Sequence, residues 1–169
     1  NVLFYDHFGS IESNNLINRI RYLAISCNCD YIILDHISIV VSGLEGGDER
    51  RAIDNAMTKL RSLVEETGIG LILVSHLKRP VEKGHEEGAI TTLSQLRGSA
   101  GIGQLSDIVI GLERNQQSDK NSHITTLRIL KNRFSGDTGK AGQLIYNPIT
   151  GRLVEYEKNE EEGLWYLFD

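Results

Sequence analysis

Two uninterrupted apolar runs, "YIIL" at 31–34 and "GIGLILV" at 68–74, constrain this chain more than any other feature. Both are of strand length, and neither alternates with polar residues. A strand without alternation must be covered on both faces, which is the habit of parallel sheets. Between the two runs, Ile53, Met57, Leu60 and Val64 recur at i, i+4, i+7 and i+11, the stripe of an amphipathic helix over 49–66. Gly68 is its stop signal. An earlier stripe, Ile11, Leu16, Ile20 and Leu23, predicts a helix over 11–25 with Ser10 as N-cap. The pattern therefore predicts an α/β fold, a parallel sheet with helices on both sides.

Further strands are expected at 2–6, 107–114 and 123–134, followed by a hairpin turning at Asn147-Pro148-Ile149-Thr150-Gly151. "LEGGDER" and "LKRPVEKGHEEGAIT" read as loops. Neither an internal repeat nor a long linker divides residues 1–156, and 157–169 read as an acidic, then aromatic, tail.

At 169 residues and 40% hydrophobic content, the chain is long enough for a substantial core. A net charge of −5 argues against a general nucleic-acid-binding surface but leaves room for a local basic loop. The apolar runs are too short to span a membrane, and no signal-peptide pattern opens the chain. Cys27 and Cys29 have no second pair at zinc-site spacing, so reduced structural thiols in a cytosolic protein are expected. The chain begins abruptly in a strand, as a fragment of a longer protein would.

Parallel sheets bind ligands at the carboxyl ends of their strands. Polar groups stand at such ends here: Asp35, Ser75-His76 and Arg133. An apolar strand closing on Asp is the Walker B pattern, in which the carboxylate holds Mg²⁺ on a nucleoside triphosphate. An Asp there can equally cap the next helix. His76 would stand level with Asp35 if their strands were neighbours, where it could bond a γ-phosphate or the attacking water; a helix-capping histidine is the alternative. Lys78, Arg79 and Lys83 make a basic cluster beside Gly84, suited to single-stranded DNA. Glu82, Glu86 and Glu87 share that loop, so a merely solvated charged loop competes with this reading.

Taken in order, "IILDHISIVVSG", "DERRAIDNAMTKLRSL", "SHLK", "LRGSAGIGQLSD", "LERNQQ" and "ILKNRFSGDTGKAG" resemble the helicase domain of bacteriophage helicase–primases. The likeness covers about residues 2–155 and extends more distantly to bacterial replicative ring helicases and mitochondrial Twinkle. It implies a RecA-like P-loop NTPase core ending in a β-hairpin, assembled as a homo-oligomeric ring, usually a hexamer, with nucleotide between subunits. It further implies NTP hydrolysis, of ATP or dTTP with Mg²⁺, driving translocation on single-stranded DNA during replication in the cytoplasm. By matching motif, Asp35 is the Walker B aspartate and Mg²⁺ ligand, His76 the phosphate sensor, and Gln104 the coupler to the DNA loops. Arg133 in "KNRF" matches the arginine finger, while Arg114 and Tyr146 match residues that sandwich the base. A surface strand position for Arg133 and hairpin packing for Tyr146 are the plainer readings. The acidic tail resembles one that contacts replicative DNA polymerase; Trp165, Tyr166 and Phe168 would serve there or fold back on the domain.

The sequence departs from this pattern in specific places. No G-x-x-x-x-G-K-[ST] phosphate loop is present, nor the strand that carries the family's catalytic glutamate. Both precede the matching region in relatives, and a primase region lies further upstream, so a C-terminal motor fragment is expected. Gly103 stands where phage relatives carry an arginine before the glutamine. A recombinase-type RecA-like ATPase, or a non-catalytic interaction module that lost its P-loop, remain the rival functions.

Overall fold

The computed structural model describes residues 2–5, 13–40, 49–80, 83–98 and 100–156. They form two compact units. The first carries helix α1 (Ser13–Ile25), strand β1 (Tyr31–Leu34), helix α2 (Glu49–Thr67), strand β2 (Gly70–Leu73) and the short helix α3 (Ala100–Leu105). The second carries β3 (Ile108–Arg114), β4 (Ile124–Asn132), β5 (Gly139–Asn147) and β6 (Arg152–Glu155), together with the segment 79–91.

In the first unit, α1 packs against α2, and Leu16, Ile17, Ile20 and Ala24 of α1 and Ile53, Ala56, Met57, Leu60 and Leu63 of α2 are buried. Leu23 and Val64, assigned to the stripes from sequence, are only half-buried. Ile11 and Ser10 lie outside the described residues. Arg21 on α1 pairs with Glu66 on α2 at 2.9 Å. Gly68 ends α2 at φ +71°, a conformation costly for any side chain, while its amide donates to the Val64 carbonyl.

β1 and β2 pair in parallel, Tyr31 opposite Gly70 and Leu34 opposite Leu73. The Tyr31 ring lies over Gly70, in the space that a Cβ there would take, so a larger residue would have to displace it. Ile32 is buried, whereas Tyr31 is 74% and Ile33 68% exposed. Among the described residues, nothing buries the Tyr31–Ile33–Ile72 face of this strand pair.

The second unit extends the expected C-terminal hairpin into a larger antiparallel sheet. β3-β4-β5-β6 form an antiparallel meander in sequence order. Its connections, 115–123, 133–138 and 148–151, contain no helix and are too short for parallel crossovers. The expected hairpin at 147–151 is present between β5 and β6. The strand expected at 2–6 is not: residues 2–5 have no regular structure, and residue 6 lies outside the described set. The tail 157–169 also lies outside it.

Candidate functional site

The carboxyl edge of the β1–β2 pair is built from backbone outward. Beyond the strands, Val74 uses both its backbone groups: its amide donates to the Leu34 carbonyl (2.9 Å), and its carbonyl accepts from the Ile37 amide (3.0 Å). Asp35 and His36 are a two-residue insert between these anchors, joined by a cis peptide bond. Ile37, fully buried, pins the exit. Asp35 is left exposed at the strand end, and His36 half-buried. The strands are therefore neighbours; the register sets Val74 next in line with Asp35, and His76 lies two residues further on.

The group that faces His76 is one that sequence reasoning missed. The His36 and His76 rings meet edge to face, centroids 4.2 Å apart at 64°. His36 Nδ1 is buried and makes no hydrogen bond. Its only sequence signal is adjacency to Asp35 in "YIILDH".

The segment after His76 is held by the "QLR" stretch. Arg97 N–H donates to the His76 carbonyl (2.9 Å), Lys78 N–H donates to the Gln95 carbonyl (2.7 Å), and Leu77 bridges to Leu96. "SHLK" and "SQLRGS" thus form one backbone ladder, with α3 and the exposed Gln104 just beyond. At Gly103, an added Cβ would meet Leu96 and Leu93 at 3.5 and 3.7 Å, ordinary contacts, so packing does not itself demand glycine there.

In the second unit, Arg114 closes β3 opposite Thr125 of β4, Thr125 stands opposite Leu144 of β5, and Tyr146 follows two residues on. No register shift intervenes, so Arg114 and Tyr146 share one face and one end of the sheet. Arg114 Nε donates to the Ser122 carbonyl at 2.5 Å. Arg133 follows the last residue of β4, at the opposite end, and is exposed.

Lys78, Arg79 and Lys83 are all exposed; Glu82 lies outside the described residues. Glu86 and Glu87 are exposed too, but their carboxylates lie against the loop's own backbone. Glu87 Oε2 accepts from the Gly84 amide (2.9 Å), and the Glu86 carboxylate fills the space a Cβ at 84 would need. Glu86 also accepts through its carbonyl from the Gln116 amide (2.8 Å), and Glu87 bridges to Asn115.

This strap ends in a second feature that the sequence did not single out. The Glu113 carboxylate, 8% exposed, accepts from Arg128 Nε (2.6 Å) and Nη2 (3.1 Å), and from the Thr91 amide (2.7 Å) and hydroxyl (2.9 Å). Thr91 is buried and lies where a Cβ on residue 111 would stand, so Gly111 makes its seat. Burial alone would push the Glu113 carboxyl up; its hydrogen bonds and the Arg128 charge outweigh this and hold it below the usual carboxylate range.

Among the described residues, no group of three or more His, Cys, Asp or Glu converges on one point. Cys27 and Cys29 are free and half-buried. No described helix is long and apolar enough to cross a membrane.

Comparison with solved structures defines the class. A DnaB-like replicative helicase, solved in a study of its interactions with primase, superposes with a TM-score of 0.72 at 23% identity, over 90% of this chain and 36% of that one. The KaiC-like protein PH0186 of Pyrococcus horikoshii OT3 superposes at 0.59 and 20%, over 86% and 57%. The fold is that of a RecA-like α/β protein.

Within that class the chain belongs to the DnaB-like helicase C-terminal domain family, which it matches over residues 1–154. It is 47% identical to the DNA helicase/primase of Enterobacteria phage T3 over 94% of its length, and 25% identical to the replicative DNA helicase DnaB of Geobacillus stearothermophilus over 95%. It spans 28% and 36% of those two proteins.

Proposed function

We propose that this chain is part of an NTP-dependent replicative DNA helicase, a ring motor that translocates on single-stranded DNA and unwinds duplex during replication. The observation that carries the reading is the common edge of β1 and β2, where Asp35 stands beside the His36–His76 pair. Mg²⁺ characteristically takes only one or two protein carboxylates and fills its other positions from phosphate and water. Asp35 fits that mode and would hold Mg²⁺ on ATP or dTTP. The bound ion supplies positive charge to the phosphates that separate. The fit is confined to the metal end, because no phosphate-cradling loop occurs in these 169 residues. Residues 1–156 would be the C-terminal part of the motor domain, the cradle and catalytic glutamate being supplied upstream.

His76 then reads the γ-phosphate, and the ladder joining residues 76–78 to 95–97 supports Gln104 as the relay toward DNA. Arg114 and Tyr146, on one face and one end of their sheet, are suited to stack on a base. From Thr125, opposite Arg114, to Arg133 is eight residues, about 26 Å along β4. Arg133 thus stands at the end of the sheet away from Arg114, a placement that suits an arginine finger acting across a subunit boundary in a homo-oligomeric ring, a hexamer. Lys78, Arg79 and Lys83 face single-stranded DNA, several copies together overcoming the −5 charge. The tail 157–169 would contact the replicative DNA polymerase, and the host-cell cytoplasm would be the compartment.

The test is a forked-duplex strand-displacement assay on the full-length protein, with Asp35→Asn as the control. Unwinding and hydrolysis should both be lost in Asp35→Asn, since a neutral amide holds Mg²⁺ less well. DNA-stimulated hydrolysis without displacement would favour a recombinase-type ATPase, and no hydrolysis at all a non-catalytic module.

A further inference from the structure

We propose that His36 is a positioning residue: its ring sets the orientation in which the His76 imidazole meets the γ-phosphate. The inference rests on the reading of His76 as phosphate sensor and deepens it. His76 itself follows β2 in a stretch without regular structure, three residues past Leu73, and its side chain is exposed. Its backbone is held by Arg97, but a backbone bond leaves χ1 and χ2 free. An exposed imidazole with free torsions spreads over several rotamers, and only some aim a ring nitrogen at a given oxygen.

The ring of His36 supplies the missing restraint. It meets His76 edge to face at 4.2 Å, a little shorter than the separation of about 4.5 Å at which aromatic pairs usually begin. Its own backbone cannot drift, because Val74 grips both Leu34 and Ile37, and Ile37 is fully buried. Val74 is also two residues from His76, so one anchor fixes the base of both side chains. The contact is made by the ring as a surface: His36 Nδ1 is buried without a hydrogen-bond partner, so that nitrogen does not tether the ring. A residue that acts by ring packing should be replaceable by another ring, and should not be replaceable by a small or non-aromatic side chain.

The experiment uses the full-length protein in rings. Two quantities are read: steady-state kcat and KM for the nucleotide, and the ratio of single-stranded DNA affinities measured with a non-hydrolysable triphosphate and with the diphosphate. The ratio reports sensing of the γ-phosphate without turnover. His36→Ala should lower kcat roughly 10- to 100-fold, the scale expected when a group near the chemistry is misplaced by about an ångström. KM should stay within about twofold, since ground-state nucleotide binding does not depend on this contact. The affinity ratio should fall toward one. His36→Phe should restore both kcat and the ratio to near wild type. Should His36→Ala fail to assemble, His36→Asn gives the same contrast, a planar polar group without an aromatic ring, and should behave as the alanine. Wild-type kcat and ratio in His36→Ala or His36→Asn, with both lost in His76→Ala, would overturn the positioning role alone. His36→Phe as impaired as the alanine would also overturn it, pointing to a polar role for the imidazole. Wild-type kcat and ratio in His76→Ala would instead remove the sensor reading on which the inference stands.

Discussion

Replacing Glu113 by Gln tests whether the strap from 83 to 91 is fastened to the sheet by charge. The carboxylate is 8% exposed and its partner Arg128 23%. Glutamine keeps one oxygen, enough to accept from the Thr91 amide or hydroxyl. Its other terminal group is a donor and cannot serve the Arg128 guanidinium. Hydrogen bonds to charged groups contribute about 1.5–3 kcal/mol each, and breaking a buried ion pair costs roughly 3–5 kcal/mol. Arg128 retains enough exposure to recover some hydration, so the expected loss is about 2–3 kcal/mol. In urea unfolding followed by circular dichroism, that is a midpoint lowered by about 1 M. The pH dependence fixes the cause. Glu113 is held below an unfolded carboxyl value of about 4.3. Its contribution is therefore complete above that value and lost as pH falls through the lower folded one. Wild type and Glu113→Gln should differ fully at pH 7 and converge in acid. A midpoint shift below about 0.3 M at pH 7, or a difference undiminished at about pH 2, would refute the argument.

Gly98→Ala should destabilise the first unit by about 1–3 kcal/mol in the same assay, because residue 98 sits at φ +102° and a Cβ there would overlap the buried Ile53 Cδ1. In the full-length protein, Lys78→Ala should weaken single-stranded DNA binding and flatten the slope of log K against log[salt] by about 0.7; an unchanged slope would return this loop to solvated surface. Mixing Arg133→Ala with Asp35→Asn subunits in one ring should restore part of the hydrolysis that each variant lacks, since some interfaces then carry both intact halves; no recovery despite proven co-assembly would remove the in-trans assignment.

The parts of the site that were legible in the sequence are those set by strand ends. An apolar run long enough to be a buried strand, followed by a carboxylate, locates Asp35 without tertiary information, and the second run does the same for His76. Residue identity at such ends also carried the resemblance to the phage and bacterial helicases. His36 escaped because its ring contact depends on which residue the fold brings against it, and sequence separation says nothing of that. Glu113 escaped because it reads as one polar residue in "GLERN"; its weight comes from Thr91 and Arg128, 22 and 15 residues away.

Local chemistry determined the two long helices, the β2 and β3 strands, the terminal hairpin and the end of α2 at Gly68, since periodicity and a left-handed glycine act over a few residues. Connection length could have flagged the antiparallel meander, because nine, six and four residues cannot carry a parallel crossover. Only the tertiary structure decided that the Tyr31–Ile33 face is exposed among the described residues, that 2–5 form no regular structure, that Arg114 at the end of β3 and Arg133 after β4 stand at opposite ends of the sheet, and that two histidines meet edge to face. Each of these depends on which surface a residue meets, and that is fixed by packing between segments distant in the chain, where the apolar pattern of any one segment is the same whichever neighbour covers it.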